Sequence, residues 1–235
     1  MSNKRDAIPN PKITRMIVKA SKVIHVCLAT SRPYNDTSHI FDRLKLSDYS
    51  IVNGGAQIFD MKTRKVAWEK PIGVNDVKII CEILQNHIHV PFWLNNGNKN
   101  ILIPPGPIPK QVFQIYITAK VTNAIADIYM KKISHIKNIA VHKVPSWDEG
   151  YYDILINHAL ATKQHGIFEI AKLLGIETHD MIGVGDGYND FPLLMACGLK
   201  IAMGNADPEL KTIADYIAPS VADDGVADVI NKFVL

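Results

Sequence analysis

The sequence predicts an α/β fold, a doubly wound parallel sheet with helices on both faces, interrupted by an α+β subdomain. Three observations carry this. Helical and apolar, β-branched segments alternate at both ends of the chain. The middle changes to short alternating runs and a turn rich in proline and glycine. The apolar segments leading to Thr30, Asn53 and Asp186 each run into small polar residues, and ligands of parallel sheets gather beyond the carboxyl ends of the strands.

The elements follow in order. Pro9 and Pro11 bracket a non-helical entry, after which Ile13, Met16, Ile17 and Ala20 recur at helical spacing. The run Val23 to Leu28 predicts a buried strand that ends in Ala29-Thr30-Ser31-Arg32-Pro33. A second helix-to-strand unit closes at Ser50-Ile51-Val52-Asn53-Gly54-Gly55. From Ala56 the rhythm changes: alternation over Ala56 to Asp60, an amphipathic stretch over Val77 to Leu84, the turn Pro104-Pro105-Gly106-Pro107, a strand over Val112 to Thr118 and a helix over Val121 to Lys131. The inserted subdomain is accordingly placed at residues 57–150, and the core at 1–56 and 151–235, which includes the strand-like Tyr151 to Ile156. Ile167, Ile170, Ala171 and Leu174 then mark a helix face closed by Gly175. A strand over Met181 to Gly185, a helix through Leu193, Leu194 and Ala196, and a strand over Leu199 to Met203 complete the pattern, with Asp207-Pro208 as N-cap and first-turn proline of a further helix.

Composition bounds the function. Apolar residues make up 47% and charged residues 21%, too apolar for a disordered chain. The net charge of +3 comes from scattered basic residues, which argues against nucleic acid and leaves small anions as partners. Cys27, Cys81 and Cys197 make neither a disulfide framework nor a zinc pattern. The first ten residues are polar and no apolar run approaches the roughly 18 residues of a membrane span, so a cytoplasmic protein is expected.

The chemistry concentrates in Gly185-Asp186-Gly187-Tyr188-Asn189-Asp190. Two acids, Asp186 and Asp190, held in one loop at a strand end repel each other unless a cation sits between them. Hard oxygen ligands with open positions suit Mg²⁺ shared with a substrate phosphate; an Asx-rich turn capping a helix is the plainer alternative. A dinucleotide loop is disfavoured, because its carboxylate would face the pyrophosphate and the G-x-G-x-x-G spacing is not met. Lys163 opens the preceding helix, where an ammonium can neutralise a phosphate, although a lone lysine there is ordinarily solvated. Thr30 offers a hydroxyl and a backbone N–H to a phosphate oxygen and Arg32 a charged fork, unless the segment is simply a strand-ending turn.

Together these motifs resemble the haloacid dehalogenase (HAD) superfamily, specifically its Cof-like, type IIB phosphatases, from about Pro11 to the C-terminus. Ala29-Thr30-Ser31-Arg32-Pro33 is similar to the family's A-T-G-R-P, with Ser31 in place of glycine, and Asn53-Gly54-Gly55-Ala56 to its N-G-A segment. Lys163 matches the third-motif lysine and Gly185 to Asp190 the motif G-D-x-x-N-D. Ala202-Met203-Gly204-Asn205-Ala206, Lys211, Ala214-Asp215 and Asp224-Gly225-Val226-Ala227 follow the family order downstream. The resemblance implies a Rossmann-like HAD core with an α+β cap, and Mg²⁺-dependent hydrolysis of a small phosphomonoester such as a sugar phosphate. It implies Thr30, Lys163 and Asp190 as catalytic residues, and Thr30, Ser31, Arg32, Asn53, Lys163 and Asn189 around the phosphate. Asp186 and Asp190 are implied at the metal. Lys62, Arg64, Lys99 and Lys110 are candidates for recognising an anionic group from the cap.

The sequence departs from the family at its start. Asp6 is the only acid before Asp36, and no D-x-D-G-T nucleophile motif is present. In the family that motif ends a strand lying between those ending here at Thr30 and Asp186, so the first core strand is expected to be absent, leaving two unpaired edges. The expectation is a shortened form of an active phosphatase with little turnover as given; the alternative is a non-catalytic phosphometabolite-binding or regulatory HAD-like protein.

Overall fold

The structure, a computed structural model, describes residues 8–87, 91–104, 107–146 and 148–235. The expected turn Pro104-Pro105-Gly106-Pro107 therefore falls partly outside the described residues.

Helix α1 (Pro11–Ala20) starts where Asn10 accepts a hydrogen bond from the Ile13 N–H and Pro11 needs no donor partner. Of the expected stripe, Ile13, Ile17 and Ala20 are buried and Met16 is half-buried. With α2 (Tyr34–Leu44) and the C-terminal helix it covers one face of the core, where Phe41, Leu44, Ala227 and Ile230 meet. The Tyr34 ring stacks on Phe59 at 4.2 Å.

Strands β1 (Tyr49–Val52), β2 (Gln57–Asp60) and β3 (Lys65–Glu69) form an antiparallel sheet of three. The hairpin 57–69, expected in the inserted subdomain, thus continues the sheet of β1, and Lys62 and Arg64 sit at its turn, Arg64 paired with Asp42 of α2.

Helix α3 (Val74–His87), strands β4 (Phe92–Asn95), β5 (Asn100–Ile103) and β6 (Gln114–Val121), helix α4 (Asn123–Ile133), and strands β7 (Ile139–Pro145) and β8 (Tyr152–His158) form a separate layer. Its five strands run in the order β5-β4-β6-β8-β7, every neighbour antiparallel. Residues from 151 are expected in the core, but β8 pairs along its whole length with β7 and belongs to this sheet. Strand alternation exposes the reason. Ile115, Ile117, Ile154 and Ile156 point to α3 and α4 and form one apolar cluster, while the residues between them face the rest of the protein.

Helix α5 (Lys163–Leu174) ends at Gly175 in the left-handed conformation. Strand β9 (Ile182–Gly185), α6 (Phe191–Ala196), β10 (Leu199–Ala202), α7 (Pro208–Thr212), β11 (Tyr216–Ile217) and α8 (Gly225–Phe233) complete the core. Strands β11-β10-β9 are parallel, and α5 and α6 pack on the face opposite α1 and α8. Asp207 caps α7 through the Glu209 N–H, as its sequence predicts.

The run Val23 to Leu28 is not a regular strand. Val23 and Ile24 are exposed, at 62% and 42%, and the segment touches β1 through a single parallel bridge, Ala29 to Ile51. Ile51 N–H donates to the Leu28 carbonyl at 2.7 Å and Thr30 N–H to the Ile51 carbonyl at 2.9 Å. The backbone groups of Cys27 and Ala29 therefore face away from β1. On β9, Met181 and Gly185 bond to β10, so Ile182 and Val184 face away from it by the same alternation. Among the described residues neither set has a backbone partner, and the core sheet stands in two pieces. The backbone of segment 23–28 is held to that of β1 by that bridge and its two flanking hydrogen bonds alone, too few contacts to make a ladder.

Hydrogen exchange will read these edges: the Val184 amide is expected to exchange at least about tenfold faster than that of Ile201, and equal protection of both would show the β9 edge covered. Gly55 is a second test. Its φ is 118°, and an added Cβ would lie 2.2 Å from the Thr162 backbone, just before Lys163. Gly55→Ala is expected to cost about 3 kcal/mol in denaturant unfolding; a loss below about 1 kcal/mol would mean that the contact is not rigid.

Candidate active site

Strand β9 delivers the chain into the loop Gly185 to Asp190, which a 3₁₀ turn over Tyr188–Asp190 closes. Gly185 makes this fold-back possible, since a Cβ there would lie 2.5 Å from the Asp190 Cβ. Asp190 then reaches back under its own loop. Its Oδ2 accepts the N–H groups of Asp186 and Gly187, both at 3.1 Å, and its Oδ1 accepts the Lys163 ammonium.

Lys163 is the first residue of α5, after the Thr162 N-cap. A cation there opposes the helix dipole, and burial adds a desolvation cost. Both side chains are nearly inaccessible, Lys163 at 7% and Asp190 at 10%, so the carboxylate is what stabilises the ammonium. One of the three ammonium N–H donors goes to Asp190, which leaves the others for a ligand.

Asn189 crosses to the other strand end, its Nδ2 donating to Ser31 Oγ at 3.1 Å. Ser31, Lys163 and Asn189 form the core-side wall of a small cavity of about 20 Å³, roughly the room of one water. The opposite wall belongs to the five-stranded sheet: Gln114, His142, Leu155 and Asn157. These four were not singled out in the sequence, where alternation marks two faces of a strand without telling which one meets the core. Burial holds the His142 imidazole below its ordinary pKa and so favours its neutral form.

Other expected residues stand elsewhere. Thr30 donates its N–H to the Ile51 carbonyl, and its hydroxyl oxygen accepts the Arg32 N–H at 3.1 Å, which leaves the O–H as a donor. Thr30 and Arg32 flank Ser31 without lining the cavity. Asn53, expected at the phosphate, is fully buried. Its Nδ2 donates to Gln57 Oε1 at 2.8 Å, and its carbonyl accepts Asn157 Nδ2 at 3.0 Å. Gln57 passes the link to Glu69 and Asn157 accepts from Gln114 Nε2, so a chain of side-chain amides ties the hairpin to the overlying sheet. Lys62, Lys99 and Lys110 do not line the cavity either.

Asp186 is exposed, and its Oδ2 accepts Asn205 Nδ2 at 3.3 Å. Asn205, part of a family motif but not picked out as a site residue, is fixed in turn by the Val221 N–H at 2.8 Å. Asp190, expected at the metal as well, has both oxygens committed to Lys163 and the loop. Among the described residues no three His, Cys, Asp or Glu side chains cluster to hold an ion. One exposed carboxylate does not make a protein-held Mg²⁺ centre, and the described residues do not fit a resident ion.

Comparison with known proteins agrees with the topology. The family model of the haloacid dehalogenase-like hydrolases matches residues 2–144 and 108–230. The 5-amino-6-(5-phospho-D-ribitylamino)uracil phosphatase YcsE of Bacillus subtilis is 25% identical over 223 residues, covering 91% of this chain and 84% of its own. A haloacid dehalogenase-like hydrolase of B. subtilis superposes with a TM-score of 0.83 at 19% identity, over 98% of this chain and 95% of its own. The HAD subclass IIB sugar phosphatase BT4131 does so with a TM-score of 0.79 at 22% identity, over 96% and 92%. Loop, lysine and fold thus converge with the match over most of the sequence, and the chain belongs to the haloacid dehalogenase-like hydrolases.

Proposed function

We propose that the cavity between Lys163, Asn189 and Ser31 and the five-stranded sheet binds the phosphoryl group of a small phosphomonoester such as a sugar phosphate. Phosphomonoester hydrolysis is the activity supported by the phosphatases similar to this chain. The single observation that carries the reading is the buried Lys163–Asp190 pair, whose ammonium reaches a cavity that Asn189 and Ser31 also line. An ammonium out of water attracts a dianion more strongly than an exposed one.

Each residue has a role in this reading. Lys163 neutralises the phosphoryl charge, and Asn189 and Ser31 supply neutral donors that orient it. Asp190 is a positioning residue: it holds the ammonium and keeps the loop closed. We assign residues 73–161 to the cap and the remainder to the core, the cap excluding water from the phosphoryl group. Asp186 and Asn205 do not line this cavity and do not close an ion site by themselves.

No described residue lining the cavity is a carboxylate free to attack phosphorus. The 235 residues alone are therefore expected to bind phosphomonoesters with little turnover. No helix among the described residues is long and apolar enough to cross a membrane.

Calorimetric titration with inorganic phosphate tests the reading. The wild type is expected to bind, with or without Mg²⁺, and Asn189→Ala to weaken binding about tenfold. Absence of phosphate binding by the folded wild type would contradict it. Lys163→Met is expected to abolish binding and to lose about 3 kcal/mol of stability, because Asp190 is left buried beside an apolar side chain; unchanged stability would show the pair to be dispensable.

A further inference from the structure

The chain passes from the core to the five-stranded layer between β3 and α3 and returns between β8 and α5. The outgoing crossing is tied by backbone hydrogen bonds, the Lys70 N–H donating to the Ala56 carbonyl at 2.9 Å and the Ile72 N–H to the Val112 carbonyl at 2.8 Å. The return crossing, residues 158–162, is built differently. His158 ends β8, and the Ala161 N–H donates to its carbonyl at 2.8 Å, which closes a β-turn. Within that turn the Leu160 N–H donates to His158 Nδ1 at 3.0 Å, so the imidazole takes the place that an Asn or Asp side chain fills in an Asx turn. The turn sets Ala161 against Ala56 of the core and Phe113 beside β6, all three buried, and lays the Thr162 backbone against Gly55 immediately before Lys163.

A backbone N–H only donates, so Nδ1 is unprotonated here and the proton of the neutral ring sits on Nε2. An imidazolium carries a proton on both nitrogens. It would set N–H against N–H, and the turn would lose its acceptor.

We propose that His158 is a proton-operated latch on the return crossing: the neutral ring closes the turn and holds the five-stranded sheet on the core, and protonation releases both. The latch does not depend on the identity of the ligand.

The surroundings fix the direction of the switch. His158 is faced by Lys70 of the outgoing crossing, Asp76 of α3 and His165 of α5. Desolvation has the largest effect on the ring, and Lys70 and His165 act with it against Asp76, so the pKa of His158 lies below its ordinary value. The fold thus favours the neutral ring: the latch is closed above the ordinary histidine pKa, and its contribution is lost as pH falls through the lowered one. His165 is also held low, by desolvation that Glu169 opposes, but it does not share the role. Its Nδ1 lies 2.8 Å from Thr162 Oγ1, a hydroxyl that donates to a bare nitrogen and accepts from a protonated one, so that contact survives either state. Release bears on the site because the cavity beside Lys163 has room for about one water, and a larger ligand enters only as the sheet moves off the core. Asn157 reports that movement, since its Nδ2 donates from β8 to the Asn53 carbonyl at 3.0 Å.

Heteronuclear NMR of the histidine rings and amide exchange of wild type, His158→Asn and His158→Ala, near neutrality and at about pH 5, test this. Asn keeps an acceptor for the Leu160 N–H and does not titrate; exchange is expressed as protection relative to the unfolded chain at each pH. In the wild type the neutral ring is expected as the Nε2–H tautomer. On acidification the protection of the Leu160 and Ala161 amides and of the Asn157 side-chain amide is expected to fall about fivefold. His158→Asn is expected to keep its protection at both pH values, and His158→Ala to show the released value at both. A neutral ring protonated on Nδ1 would overturn the latch, as would unchanged protection in the acidified wild type. Equal acid losses in wild type and His158→Asn would overturn it by placing the titrating group elsewhere. A turn that loosens while the Asn157 amide exchanges as before would overturn the link to the sheet.

Discussion

The buried ion pair between Lys163 and Asp190 is the contact on which the rest of the site depends. It joins the start of α5, where the chain re-enters the core, to the loop after β9. Either charge alone would be costly in this position, the lysine at a helix N-terminus and the aspartate beneath its own loop. Each is stabilised by the other and, for Asp190, by two backbone N–H groups. The same pair fixes where Asn189 points and hence where Ser31 is met.

A second constraint holds the cap sheet over this pair. Asn53, Gln57, Gln114 and Asn157 hydrogen-bond in sequence, and all four are buried. Buried amides are costly when unpaired, so the chain of contacts fixes one relative placement of hairpin and sheet. Asn53 Oδ1 is buried without a partner, which makes this link weaker than its residue count implies.

Much of this was legible in the residues. Stripe and caps located α1, α5 and α7, because helix ends and periodicity are local properties. Ser31, Lys163 and Asn189 could be grouped around a phosphate because their motifs resemble those of the family, and they share one wall of the cavity. Partnership was less legible. The apolar alternation of Tyr152–His158 predicts a strand but not which sheet it joins, and pairing with β7 decided that. Val23 to Leu28 has strand composition without a second neighbour among the described residues, and the absent D-x-D-G-T motif, not composition, pointed to that unpaired edge. Asn53 and Thr30 occupy motif positions, yet Asn53 spends its side-chain donor on Gln57, and Thr30 donates its N–H to Ile51 while its hydroxyl oxygen accepts the Arg32 N–H. His142 was invisible because only the assembled sheet shows which face looks at Lys163.

The central claim is that the space between the Lys163–Asp190 pair and the cap sheet receives a phosphoryl group. Mapping amide chemical-shift changes by NMR during a titration with inorganic phosphate tests it most directly. The account predicts the largest saturable changes at Ser31, Lys163 and Asn189, with smaller ones at Gln114 and His142. Changes centred instead around Asn10, Ser220 and Asp224, which line a separate cavity, would contradict it.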